Sequence, residues 1–186
     1  MSITVENLFN PKRFFYLFRI ELFNNLKTAL LKDLIVAGAF LSLSIFSALM
    51  KSRTDVSGFL FISLFMGIIF TSVSFSVAHN REAGVFYFTL PASVEEKFLV
   101  KFLFTAIFSF FSSVLTLFLT SLLTGIIGSL FFGLSFTFFD PFKNSIFKIF
   151  LTYLYFHSIF FLGGILFKKN NFLKTVLSLV ILFFIF

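Results

Sequence analysis

The sequence contains no cysteine and no tryptophan, only 3 prolines, and 12% charged residues in a chain of 186. Without cysteine there is no disulfide, no thiolate nucleophile and no Cys-based metal site. Without tryptophan, and with only 4 tyrosines, the belt of amphipathic aromatics that marks a membrane–water boundary is nearly missing. The scarcity of charge excludes most. A globular domain in water is about a quarter charged, and so few polar residues cannot cover a water-facing surface. What is there instead is apolar: 59% hydrophobic residues, 37 phenylalanines and a mean hydropathy of +1.05. Lipid is the solvent such a chain suits. The net charge of +7 is scattered rather than striped. It therefore points to Lys and Arg at the cytoplasmic ends of spans, not to nucleic acid.

Asn10-Pro11 reads as a helix start, with Asn as the cap and Pro in the first turn. Phe15, Phe18, Leu22, Leu26 and Ala29 then recur at helical spacing, with Arg13, Glu21, Asn24, Lys27 and Thr28 opposite. Residues 10–32 are thus expected to form an amphipathic helix, either lying in the membrane interface or packed on the protein's own spans. Five spans follow by apolar length: 34–50, bracketed by Lys32-Asp33 and Lys51, then 56–78, 98–124, 146–167 and 172–186. The last is short, so either that helix is shallow or, the favoured expectation, the sequence is cut before its natural end. Residues 125–139 are apolar but too short to cross comfortably. With Gly125, Gly128 and Gly133 breaking them up, they read as re-entrant or interfacial. The fold class expected is an all-α integral membrane protein forming one transmembrane domain over 1–186. With the N-terminus inside and 125–139 not crossing, 11 Lys and Arg lie on the inner side and 4 on the outer. That bias is the one cytoplasmic positive charge produces.

Motifs for chemistry are scarce. The chain has no phosphate-binding P-loop, no His-Glu-x-x-His, no nucleophile elbow and no carboxylate pair within a span. No catalytic residue and no metal site is expected, and no cofactor bound by this chain. His157 lies inside a span without an acidic neighbour in sequence, so a neutral ring bonded to a carbonyl or hydroxyl of another helix is the expectation. The third span carries a hydroxyl stripe: Thr105, Ser109, Ser112, Ser113, Thr116, Thr120 and Thr124 share about a third of the helix circumference, with Lys101 on the same side. Such a stripe either lines a polar path or lets helices approach and bond across it.

The segment 79–97 is the longest polar stretch inside the hydrophobic region. Ser93-x-x-Glu96 is a capping box, and Pro91 before it cannot extend a helix backward, so a helix starts at Ser93–Val94. Val85, Phe86, Tyr87, Phe88 and Leu90 would be an unusual set to leave in water, so the loop should lie on the bilayer or dock into a partner. Arg81-Glu82-x-Gly84 followed by Thr89-Leu90-Pro91-x-Ser93-x-x-Glu96-Lys97 resembles the loop between the second and third spans of ABC-2-type transporter permeases. The order of elements is similar over most of the chain. Such permeases commonly have six spans; this sequence has fewer, and no large extracellular domain. The resemblance implies a membrane subunit of an ABC exporter, located in the bacterial inner membrane. It would form the translocation path as a homodimer or with a second permease subunit. Residues 79–97 would be the coupling loop to a separate ATPase, which hydrolyses the ATP. The competing reading is a non-transporting accessory or scaffold subunit of a membrane complex.

Overall fold

In a computed structural model, the residues described are 9–52, 56–75, 79–80, 84–85, 87, 89–142 and 145–185. Among them the chain forms five helices and no strand: α1 Pro11–Leu49, α2 Val56–Val73, α3 Val94–Phe132, α4 Ser145–Leu166 and α5 Asn171–Ile185. α1, α3 and α4 are each long and apolar enough to cross a membrane, and α2 and α5 are shorter apolar helices.

α1 begins where the cap chemistry requires. The Asn10 side chain accepts the N–H groups of Lys12 and Arg13, and Pro11 occupies the first turn, where a missing N–H costs nothing. It then runs for 39 residues, about 58 Å, without a turn at Asp33. The separate amphipathic helix over 10–32 is therefore the first half of the same helix as the span over 34–50. No proline, glycine pair or competing cap stands between them to break the hydrogen-bond ladder.

α3 begins at the Ser93 capping box, with both of its hydrogen bonds formed. It is likewise longer than the expected 98–124. Gly125 and Gly128 do not interrupt it; a glycine costs a helix only about 1 kcal/mol, and here the helix is packed. The chain turns instead at Gly133, whose φ of 66° is a conformation glycine adopts freely. Residues 133–140 then return beside α3 without regular structure, and the Phe139 N–H donates to Ser121 Oγ at 3.0 Å. A Cβ on Gly125 would sit 2.6 Å from the Thr137 carbonyl, so that glycine serves the returning strand of chain rather than a break. Within α3, Leu103–Phe108 forms a π-helical turn that hydropathy gave no sign of.

α1 and α3 lie side by side and run parallel. Their cross-contacts keep a nearly constant sequence separation: 83 for Arg13–Glu96, 80 for Glu21–Lys101 and 81 for Lys32–Ser113. The apolar core joins four helices through Val36 and Phe40, Phe59, Leu60 and Leu64, Phe110, Val114 and Leu117, and Tyr153. α5 is stapled on by Asn171, whose amide donates to the carbonyls of Ser72 and Gly164.

Candidate functional site

Arg13, Glu21, Lys32 and Asp33 of α1 meet α3, while Lys12, Arg19 and Lys27 of the same helix are exposed. On the apolar stripe Phe15 is 72% exposed, Phe18, Leu22 and Leu26 are half-buried and Ala29 is buried. On the polar side Arg13 and Glu21 bond to α3, whereas Asn24, Lys27 and Thr28 are exposed. The outward Phe15 and the inward Arg13 and Glu21 follow from the solvent. Lipid accepts the phenylalanine and leucine side chains, while a charge must find its partner within the protein.

Three polar rungs result. At the first, the Glu96 carboxylate, fully buried, accepts the backbone N–H of Asn10 at 2.6 Å, that of Ser93 at 3.0 Å and the Arg13 guanidinium at 3.2 Å. Burial works to raise its pKa, but those donors outweigh it and hold the carboxyl below its ordinary value. At the second rung, Lys101 Nζ lies 2.6 Å from Glu21 Oε1. The ammonium also sits over the rings of Tyr87 and Phe75, at 5.5 and 5.7 Å. Tyr87 and Lys97 line a cavity of about 340 Å³ beside this pair. Burial, with the negative charge of Glu21 adding to it, pushes the Tyr87 phenol up to about 12. It stays protonated at any physiological pH.

The third rung holds the hydroxyl stripe. Lys32 Nζ donates to Ser109 Oγ at 3.1 Å and Ser113 Oγ at 3.0 Å, and lies 3.1 Å from Asp33 Oδ1. The Ser112 hydroxyl donates to Asp33 Oδ2. Asp33 and Lys32 were expected to mark the edge of a span; they are buried against the middle of α3 instead. Thr120 is also buried but bonds only its own helix, at Thr116 O and Leu117 O, and Thr116 lies on a groove. So the stripe bonds across a helix interface at Ser109, Ser112 and Ser113. Toward α4, Thr105 accepts the Tyr153 hydroxyl on its carbonyl at 2.9 Å, and His157 Nε2 lies 3.0 Å from its Oγ1. His157 thus meets a neighbouring hydroxyl, as expected, among the rings of Phe102 and Phe161.

Of the loop residues, Gly84 is buried, Tyr87 and Leu90 are half-buried, and Pro91 is exposed. Arg81, Glu82, Phe86 and Phe88 lie outside the described residues. Reading by sequence missed Asn10, Arg13, Glu21, Lys32, Asp33 and Tyr153 as members of this seam. Charges in the interior of a long apolar helix were the available signal, since each needs a partner on another helix. No group of three or more metal-ligating side chains occurs among the described residues. What the fold defines is an α-helical bundle with three helices fit to cross a membrane and a buried polar seam between two of them. Comparison with protein families, curated proteins and solved structures gave no match.

Proposed function

We propose that the chain is the membrane-spanning subunit of an ABC-2-like transporter, an exporter that couples to a separate ATPase. The observation that carries this reading is the setting of Glu96. One carboxylate closes the capping box with Ser93 and also grips Asn10 and Arg13 at the start of α1. The segment before α3 is thereby joined to the N-terminus of α1 and, through the rungs above it, to the length of both helices. A push on residues 79–97 moves α1 and α3 together, which is what a coupling loop has to do. Five spans, a cytoplasmic N-terminus and a bacterial inner-membrane location complete the proposal. Its partners are an ABC ATPase and a second permease subunit or second copy of the chain.

The test is capture. The tagged chain is co-expressed with the ABC ATPases of its own organism and purified from membranes. The expected result is one retained ATPase, identified by mass and by ATP hydrolysis of the complex. The variant carrying Phe86→Ser, Tyr87→Ser and Phe88→Ser should insert normally, since no span is altered, and should lose that ATPase. Retention of no ATPase by the unaltered chain rejects the proposal in favour of an accessory or scaffold role.

A further inference from the structure

The π turn at Leu103–Phe108 stands between the second and third rungs of the seam. Lys101 lies just before it, and Ser109, which accepts from Lys32, just after. A π turn winds one residue more into a helix than an α turn does, and such turns are frequent at functional sites. This one disrupts the ladder at a definite place. In an α-helix the Ser109 N–H would donate to the Thr105 carbonyl, four residues back. Here it donates to the carbonyls of Phe104 and Ala106 instead. The Thr105 carbonyl thereby loses its helical donor, and Thr105 is fully buried. An unpaired backbone carbonyl in an apolar interior is costly.

α4 supplies the replacement. The Tyr153 hydroxyl donates to that carbonyl at 2.9 Å. The hydroxyls of Ser109 and Thr71 flank the same phenol. On α2, Gly67 leaves the space it needs: a Cβ there would lie 3.3 Å from the Tyr153 hydroxyl and 3.1 Å from Ser109 Oγ. One turn further along α4, His157 Nε2 meets the Thr105 hydroxyl, whose own hydrogen goes to the Lys101 carbonyl. Two residues of α4 therefore hold Thr105, but only Tyr153 serves the carbonyl that the wide turn has orphaned.

We propose that the π turn is a two-state joint in α3, and that Tyr153 is the positioning residue that holds it in the wide state. An α turn at the same place pairs the Thr105 carbonyl with the Ser109 N–H and has no use for the phenol. The Tyr153 hydroxyl therefore stabilises one state and not the other, which is the condition for it to set their balance. The two states differ in what α3 presents to α1. Drawing the extra residue out of the turn rotates one half of α3 against the other by about 100°, the angle of one helical residue. Glu96 and Lys101 before the joint, and Ser109, Ser112 and Ser113 after it, all face α1 in the wide state. A rotation of that size takes one group or the other out of reach of its partners. Withdrawal of Tyr153 by the length of one hydrogen bond thus releases part of the seam, and the position of α4 is coupled to the α1–α3 pair through Thr105.

The experiment needs neither an ATPase nor a substrate, so its failure is separate from failure of the transporter reading. In this Cys-free chain, Leu99→Cys and Leu115→Cys put nitroxide labels on exposed positions of α3, one on each side of the joint. The two positions are 16 residues apart, nearly opposite on an unbroken α-helix, and the wide turn brings them about 100° closer around the cylinder. Their separation, measured in lipid nanodiscs, should be a single distance with Tyr153 intact. Tyr153→Phe keeps the ring and its packing and removes only the donor. It should shift the balance about tenfold, the scale for a buried group left unpaired, toward a separation longer by about 5 Å. His157→Leu leaves the Tyr153–Thr105 bond in place and should keep the original distance, whatever it does to the melting temperature. An unchanged distance in Tyr153→Phe overturns the proposal. So does an equal lengthening in both variants, which would make the shift a loosening of α4 rather than the loss of one donor.

Discussion

Glu96 is fully buried and ionised, and the reason is the number of donors around it rather than the depth at which it sits. Two backbone N–H groups and a guanidinium stabilise only the charged form. A carboxyl whose folded pKa is depressed contributes stability that is complete above its unfolded value, about 4.3, and is lost as pH falls through the folded value. Glu96→Gln should therefore cost about 2 kcal/mol at neutral pH, the range for hydrogen bonds to a charged group. Arg13 is partly exposed, which limits its share of that figure. Thermal unfolding in detergent would show wild type and variant converging as the pH is taken below about 4. A gap that stays constant with pH would mean the carboxylate's charge is not what matters.

Elements end here where backbone chemistry ends them, not where hydropathy falls. α1 runs through Lys32-Asp33 because nothing local stops a helix there, and α3 runs through two glycines to the left-handed turn at Gly133. Gly125 is needed for its missing side chain. Its Cα faces the Thr137 carbonyl and the Phe136 ring, and an added Cβ would lie 2.6 and 3.0 Å from them. A backbone carbonyl cannot give way as a side-chain tip can. Gly125→Val should displace residues 133–140 from α3 and cost about 1–3 kcal/mol, the scale of overpacking. The readout is thiol labelling at Phe138→Cys, expected to speed up in the Gly125→Val background. An unchanged labelling rate together with an unchanged melting temperature would show that the segment is not held by this contact.

Across the whole molecule, α1 and α3 form a parallel pair in fixed register, with α2 returning between them in sequence. The signs along the seam alternate: Arg13 to Glu96, then Glu21 to Lys101. Sliding α1 toward the next rung would set carboxylate against carboxylate, so the charges penalise other registers. The proposed topology places Ser52 outside and Asn170 inside. Single cysteines at these two exposed positions, treated with a membrane-impermeant thiol reagent on intact cells, should label at 52 and not at 170. The reverse pattern would invert the orientation, and labelling at both would remove a crossing between them.

Composition alone determined that this chain is suited to lipid, because 12% charge cannot clothe a water-soluble surface, and the length of its apolar runs pointed to helices. Local pattern was enough for the starts of α1 and α3, since Asn10-Pro11 and Ser93-x-x-Glu96 act through bonds only a few residues long. It was also enough to find the hydroxyl stripe, because helical spacing is a local property. What the stripe bonds to was decided by the tertiary structure. Lys32 and Asp33 stand some eighty residues from Ser109, Ser112 and Ser113, and no local pattern encodes a partner at that distance. The same holds for which residues of α1 face inward. Periodicity marks two faces, but in lipid either can be the outer one. Only the presence of Glu96, Lys101 and three serines on a neighbouring helix drew Arg13, Glu21, Lys32 and Asp33 toward the protein.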